Sequence, residues 1–188
     1  MSWQDRIDAI FPSEEQIPTQ FRLAGPIEQR EYLIGGTIRQ WEGPMEAVTS
    51  PICIRRADGV KQVIAGSHPL LTEKESLEAL DAAVSAYDSG RGSWPTMTVA
   101  DRIRHIVDFT ERMKTKRAEI VRLMMWETGK SLGDSEKEFD RTIVYIQDTV
   151  DALKDLDRRS SRFEIHGGIF AQIRRAPLGV TLCMGPFN

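Results

Sequence analysis

Residues 174–188 have the sequence RRAPLGVTLCMGPFN, in which apolar residues alternate with small ones between a proline and a Gly-Pro pair. The apolar positions are Leu178, Val180, Leu182 and Met184. A run of this kind is typical of a strand that is buried on both faces inside a parallel sheet. Open α/β sheets bind their ligands at the carboxyl ends of the strands. We therefore expect residues 185–188 to lie at a ligand site.

The pattern Pro-Leu-Gly-Val-x-Leu-x-x-x-Pro-Phe-Asn at residues 177–188 resembles the first strand of the coenzyme domain in the aldehyde dehydrogenase superfamily. In that superfamily a Pro-(Phe or Trp)-Asn tripeptide closes the strand. The Pro-Phe-Asn form, together with Glu-Phe-Asp-Arg-Thr at residues 138–142, is most similar to the non-phosphorylating, NADP-dependent glyceraldehyde-3-phosphate dehydrogenases. The resemblance runs from about Tyr32 to Asn188.

This resemblance implies an α/β fold, namely the amino-terminal part of the aldehyde dehydrogenase fold. Such a part holds hairpins, about four helices and the first strand of a parallel Rossmann-like sheet. We expect an amino-terminal arm at residues 1–30, with at most a short helix, and an incomplete coenzyme-binding domain at residues 31–188. Strands of an oligomerisation flap are expected at about residues 160–175, and the catalytic domain is expected to be absent from this chain.

Local signals predict hairpins at two Gly-Gly pairs, residues 35–36 and 167–168, because each pair separates short β-favouring runs. Because strands in this position help build the subunit interface of the family, the resemblance implies that the second hairpin presents an exposed apolar edge that needs a partner. More strand is expected at residues 47–54, interrupted by Pro51, and at residues 60–65 after the Asp58–Gly59 turn.

Four helices are expected from capping signals and helical spacing. The first helix is expected to begin at a capping box at Thr72 and to end at residues 89–90, and the second to begin at a similar box at Thr98 and to extend through Met113. The third is expected over about 116–128, where Gly129 caps it, and the fourth over about 135–157. Trp94–Pro95 is expected to begin a linker. The second helix should bury Ile103, Ile106, Val107 and Met113, the third Ile120, Leu123 and Met124, and the fourth Phe139, Ile143, Ile146, Val150 and Leu153.

The resemblance also implies the residues of the site. In the family mechanism a cysteine thiolate attacks the aldehyde, and the adduct then passes a hydride to the nicotinamide. Asn188 matches the asparagine that donates to the oxyanion, which makes it both catalytic and substrate-binding. Met184, Gly185, Pro186 and Phe187 match the cofactor-binding segment, with NADP as the expected cofactor. From the residues alone, an asparagine after Gly-Pro-Phe can equally be a residue that stabilises a turn.

Arg141 matches an arginine that contacts the substrate phosphate in the glyceraldehyde-3-phosphate branch, and a guanidinium suits a phosphate. The alternative is an ordinary helical ion pair with Glu138. Cys183 is expected to lie inert inside the strand, since its neighbours are apolar and no base is near. The family's nucleophile and general base would come later than residue 188.

Composition limits the function classes. The chain has 28 acidic and 25 basic residues and a net charge of -3. This balance disfavours a protein that binds nucleic acids or anionic membranes in general, because it would gain little electrostatic attraction. Two distant cysteines suggest neither a disulfide framework nor a zinc site, and no metal is expected. The start of the chain lacks the features of a signal peptide, so a cytoplasmic location is expected.

These observations favour the amino-terminal portion of an NADP-dependent aldehyde dehydrogenase. It would oxidise glyceraldehyde 3-phosphate to 3-phosphoglycerate through a cysteine thioester, as a homo-oligomer, dimer or tetramer, in full-length form. The 188-residue chain alone is expected to be inactive. Two alternatives stay open: an aldehyde dehydrogenase of another substrate class, or a short non-catalytic homologue that assembles with full-length subunits.

Overall fold

The computed structural model describes residues 2–185, and these form two compact units. The first unit contains residues 2–75 and 117–139, and the second contains residues 76–116 and 140–185. One helix continues from the first unit into the second at residues 139–140. Within residues 2–185, no helix combines the length and the apolar character that a membrane span requires.

The first unit is built on β-hairpins. Its elements are helix α1 (Trp3–Asp8), strands β1 (Ile27–Glu28), β2 (Glu31–Ile34), β3 (Thr37–Gln40), β4 (Met45–Arg56) and β5 (Gly59–Pro69), and, after residues of the second unit, helix α5 (Arg117–Thr128). Strands β4 and β5 are antiparallel, and β1 adds to the free edge of β5 in parallel. Strands β2 and β3 form a separate antiparallel pair.

The predicted strands of the first unit are confirmed. Gly35 and Gly36 join β2 to β3 with φ angles of 59° and 77°, a left-handed pair that only residues such as glycine adopt readily. The β4–β5 turn lies at Ala57–Asp58, one residue before the predicted Asp58–Gly59 turn, and Gly59 pairs with Arg56. The β4–β5 register shifts between Thr49 and Cys53, around Pro51. A proline has no backbone N–H for the ladder, which is why the pairing is irregular there.

The core of the first unit lies between β4 and helix α5. Ile54, Val121, Trp126 and Phe139 are buried there. Helix α5 ends at Gly129, whose φ of 71° is the predicted left-handed cap. Its buried side chains are Val121 and Trp126, whereas the predicted Ile120, Leu123 and Met124 are half-buried.

The predicted arm is held against the hairpin. Besides the β1–β5 pairing, the carbonyl oxygen of Pro12 accepts a hydrogen bond of 2.9 Å from the Arg55 N–H. The indole N–H of Trp126 donates to the carbonyl oxygen of Phe21 at 2.6 Å. The short helix expected in the arm is confirmed as α1. The domain boundary at residue 30 stays a prediction.

The second unit is mainly helical. It holds α2 (Glu73–Tyr87, from Ser76 onward), α3 (Ser93–Thr96), α4 (Val99–Thr115), the continuation of α6 (Leu132–Ser160) and the hairpin β6 (Glu164–His166) and β7 (Ile169–Ala171). Helix α3 occupies the expected linker, and it tolerates Pro95 because a first helical turn needs no N–H donor there. The four predicted helices correspond to α2, α4, α5 and α6.

The capping box predicted at Thr72 forms, and at the box-like start of α4 the Thr98 side chain caps the helix without the reciprocal bond from its own N–H. The Lys74 N–H donates to the Thr72 hydroxyl oxygen at 3.3 Å, and the Thr72 N–H donates to Glu75 at 2.9 Å. At α4 the Asp101 N–H donates to the Thr98 hydroxyl oxygen at 3.1 Å. Helix α6 buries Phe139, Ile143 and Val150 as expected. The expected stripe of α4 is only partly covered, since Ile106 and Val107 remain exposed.

The expected parallel strand at residues 178–184 is wrong. Residues 172–185 form no strand, and Leu178, Leu182 and Met184 are 96%, 81% and 81% exposed. A strand buried on both faces needs hydrogen-bonded neighbours, and residues 2–185 supply none to this segment. The α/β character of the fold is nevertheless confirmed by its helices and its small mixed sheet.

Candidate functional site

The carboxyl-terminal segment carries most of the predicted site. Met184 and Gly185 are exposed, so their backbone is accessible to a ligand. Pro186, Phe187 and Asn188 lie outside the described residues. The cofactor-binding and oxyanion roles of residues 184–188 therefore stay predictions.

Gly179 precedes this segment in the chain. Its φ of 107° is a conformation that L side chains rarely adopt. A Cβ at this position would lie 4.0 Å from the ring of Tyr87, so the tyrosine ring packs close to the backbone here.

Arg141 lies on the exposed side of α6. Glu138, the expected helical partner, forms its ion pair with Lys130. Arg141 itself makes no hydrogen bond or ion pair with any residue in the described range 2–185. Its guanidinium is therefore available to an anion from outside, which the phosphate interpretation requires.

A cavity of about 560 Å³ lies between α4 and α6 in the second unit. Trp94, Ile103, Tyr145 and Val150 contribute to its mostly apolar lining, and Thr142, next to Arg141, also lies on it. Arg141 does not line this cavity, because successive residues of a helix point about 100° apart. The lining has no thiol, imidazole or carboxylate; its polar side chains are the Arg102 guanidinium and the hydroxyls of Thr142, Tyr145 and Thr149.

Groups with a shifted pKa lie at turns and helix starts. A hydrogen bond from Ser13 lowers the pKa of Glu15, and one from Thr72 lowers the pKa of Glu75. A hydrogen bond from Thr98 lowers the pKa of Asp101, with Arg104 as a further favourable charge. Each carboxylate stabilises local backbone structure. These shifts therefore mark structural positions and supply no general acid or base.

The cysteines do not act as a pair. Cys53 is half-buried on β4 and Cys183 is exposed, and both thiols are free. The expectation that Cys183 is shielded inside a strand is therefore wrong, because that strand does not form. Among residues 2–185, no three histidine, cysteine or carboxylate side chains converge on a possible metal position.

The chain is similar to known proteins over most of its length. Residues 50–188 match the family model described as Aldehyde dehydrogenase family. The chain is 29% identical over 120 residues to malonate-semialdehyde dehydrogenase 2 of Shouchella clausii, covering 64% of this chain and 24% of that protein. It is 31% identical over 113 residues to N-succinylglutamate 5-semialdehyde dehydrogenase of Chromobacterium violaceum, covering 60% of this chain and 23% of that protein.

A solved structure has a similar backbone. The NAD-dependent aldehyde dehydrogenase from Sinorhizobium meliloti superposes with a TM-score of 0.61 at 19% identity, covering 86% of this chain and 29% of that chain. At this identity the similarity concerns the fold alone. The chain spans about a quarter of the length of the curated relatives it matches.

Proposed function

The chain belongs to the aldehyde dehydrogenase family, and from this membership we propose that it is part of an enzyme that oxidises an aldehyde with NAD(P). Its α/β fold is that of the amino-terminal part of this family. The observation that carries the proposal is the family match through residues 50–188, which includes the Gly-Pro-Phe-Asn segment. NAD(P) would supply the hydride acceptor.

The proposed role of Asn188 follows from the charge that develops in the reaction. When a nucleophile attacks an aldehyde, the carbonyl oxygen becomes negative, and a side-chain amide can donate to it without losing a proton. Residues 184–187 would hold the cofactor along exposed backbone at Met184 and Gly185. By resemblance, the thiolate nucleophile and the general base belong to positions beyond residue 188.

Asn188→Ala, introduced into the gene and assayed in the protein purified from its source cells, tests this role. Loss of one oxyanion donor typically lowers kcat by about 10²- to 10³-fold. We expect that loss with little change in the KM for the cofactor. An unchanged kcat would remove Asn188 from the mechanism and leave the turn interpretation.

We further propose that the substrate is an anionic aldehyde, specifically glyceraldehyde 3-phosphate, oxidised to 3-phosphoglycerate with NADP. The support is Arg141, an exposed guanidinium without a partner among residues 2–185. Two relatives are named for semialdehydes, malonate semialdehyde and N-succinylglutamate 5-semialdehyde, whose chemistry includes a carboxylate. A carboxylated semialdehyde is therefore the competing substrate class, and NAD is the competing cofactor.

Arg141→Ala separates these possibilities. Charge-assisted hydrogen bonds contribute about 1.5–3 kcal/mol, so the KM for an anionic aldehyde should rise about 10- to 150-fold. The assay compares glyceraldehyde 3-phosphate, malonate semialdehyde and the uncharged propanal, each with NADP and with NAD. Propanal should be unaffected by the variant.

Arg159→Ala is the matched control, because Arg159 is also an exposed arginine of α6. It should leave every KM unchanged. If Arg141→Ala leaves the KM for glyceraldehyde 3-phosphate unchanged, the phosphate assignment is wrong. If only malonate semialdehyde responds, the carboxylate class replaces it.

We also propose that the protein assembles as a homo-oligomer through the β6–β7 hairpin. Ile165 and Phe170 are cross-strand partners on one face, and they are 64% and 72% exposed. Two large apolar side chains in this position favour burial against a second subunit. The same surface would serve a short homologue that assembles with longer subunits.

Sedimentation of Phe170→Glu tests the assembly, with Ala171→Glu on the opposite face of the strand as control. Dissociation only in the Phe170 variant is expected, and an unchanged oligomer would contradict the proposal. The intact mass of the native subunit, compared with 21.3 kDa, distinguishes a short subunit from a longer one.

A further inference from the structure

The first unit contains a cavity of about 270 Å³ between the amino-terminal residues 14–26, the β4–β5 hairpin and Trp126. Residues 14–26 precede the part of the chain that the family model matches, residues 50–188. Family membership therefore does not imply this cavity.

The floor of the cavity is apolar and formed by buried side chains. Ile54 and Trp126 line it and are only 3% and 6% exposed. The indole of Trp126 is held in place by its hydrogen bond of 2.6 Å to the Phe21 carbonyl oxygen. Ile17 and Ile64 extend the apolar wall. A preformed apolar surface of this kind favours the body of a small organic ligand.

Two arginines line the same cavity. Arg22 is fixed by hydrogen bonds from Nε to the Ile17 carbonyl oxygen at 2.7 Å and from a terminal nitrogen to the Glu15 carbonyl oxygen at 2.9 Å. A guanidinium has five N–H donors, so Arg22 keeps donors for a ligand. Arg56 makes no hydrogen bond or ion pair with any residue that the structure describes.

The charge balance of the lining favours an anion. Two arginines and one carboxylate, that of Glu14, line the cavity, and Gln62 adds a neutral amide. The Glu15 carboxylate is outside the lining but interacts with the charge of Arg22. Arg22 is held by two backbone carbonyl oxygens, whereas Arg56 is exposed and makes no hydrogen bond or ion pair with a described residue, so a negative group can bind between the two guanidinium groups. The polar groups surround an apolar floor, the usual arrangement of a small-molecule site.

We propose that this cavity binds a small organic anion, with its carboxylate or phosphate on Arg22 and Arg56 and its apolar body against Ile54 and Trp126. Ligand cavities usually measure about 300–1,000 Å³, so a cavity of about 270 Å³ limits the ligand to a single ring or a short chain. The site is independent of the proposed aldehyde oxidation.

The test uses the native protein labelled with 5-fluorotryptophan and titrated with phenyl phosphate, benzoate and the neutral benzyl alcohol. The chain has four tryptophans, and Trp126→Phe assigns the signal of Trp126. We expect a saturable shift of the Trp126 fluorine signal with an anion, at least tenfold weaker with benzyl alcohol. Whichever anion binds more tightly identifies the head group as phosphate or carboxylate.

Arg56→Gln should weaken binding of that anion by about tenfold or more, because it removes a charge-assisted contact. Arg56 is exposed, so this variant keeps the fold. Lys61→Gln on the same hairpin removes an equal charge outside the lining and should change the affinity less than twofold. Absence of a saturable shift, equal affinity for benzyl alcohol, or equal effects of the two variants would each overturn the proposal.

Discussion

Ser50→Ala is expected to destabilise the first unit more than the removal of one hydroxyl group usually does. Ser50 is fully buried on β4, and its oxygen accepts a hydrogen bond of 3.0 Å from the Ile52 N–H. The same hydroxyl donates to the carbonyl oxygen of Trp126. That carbonyl belongs to the last turn of α5, where the helix supplies no donor. One hydroxyl group therefore joins the irregular part of β4 to the end of α5.

The expected cost follows from the two groups left unpaired. A buried donor or acceptor without a partner costs about 1–3 kcal/mol. Ile52 is only half-buried, so water can relieve part of the cost at its N–H. We therefore expect Ser50→Ala to lower the free energy of unfolding by about 2–4 kcal/mol, and the Tm by about 5–15 °C for a chain of this size.

Urea unfolding followed by tryptophan fluorescence measures the change in free energy, and hydrogen exchange at the Ile52 amide reports the local loss. Ser161→Ala is the control, since its exposed hydroxyl makes one local hydrogen bond of 2.8 Å to Arg158, and it should cost less than about 0.5 kcal/mol. A loss below about 1 kcal/mol for Ser50→Ala, with unchanged Ile52 exchange, would refute this reasoning.

Gly129→Ala should destabilise by about 1–2 kcal/mol, since φ is 71° and the new Cβ would lie 3.1 Å from Pro51. A Cβ added at Gly133 in α6 meets open space, so Gly133→Ala should raise the free energy of unfolding by about 0.5–1 kcal/mol. Urea unfolding of the two variants measures both changes, and changes in free energy of the same sign would contradict this prediction. Thr98→Ala should raise the pKa of Asp101 toward its usual value, as an NMR titration would show. Because the folded-state pKa is lowered, the part of the stability loss that comes from the Thr98–Asp101 carboxylate bond should be present above about pH 4 and should disappear as the pH falls through the folded-state pKa. The loss of the bond from the Asp101 N–H to the Thr98 hydroxyl should persist at every pH; a difference in stability that does not change with pH would contradict the assignment.

Turns and helix starts were predictable because their causes are local. The Gly35–Gly36 hairpin depends on backbone that tolerates positive φ, and the helix at Thr72 depends on a hydroxyl and a carboxylate within one turn. Both features are contained in three or four consecutive residues. They therefore form as predicted, whatever the distant parts of the chain do.

The strand expected at residues 178–184 failed because its apolar pattern specifies burial without specifying a partner. The pattern and the resemblance identified Asn188 and residues 184–187 as a site, and those roles remain predictions. The sequence also did not decide whether Arg141 has an ion-pair partner, since Glu138 is within reach of either Arg141 or Lys130. The structure places Glu138 on Lys130, a choice that depends on the loop before α6.

The cavity of the first unit had no signal in the sequence. Arg22 and Arg56 are 34 positions apart in the printed chain, and neither lies in a motif. The sequence alone therefore determined the hairpins and helix ends, because these depend on short-range hydrogen bonds. It also determined the family, because the family is recognised from the sequence pattern of residues 50–188. The packing of the arm on β5, the Ser50 link to α5 and the paired arginines of the cavity arise only when distant segments meet, since burial and hydrogen-bond partners are properties of the folded chain.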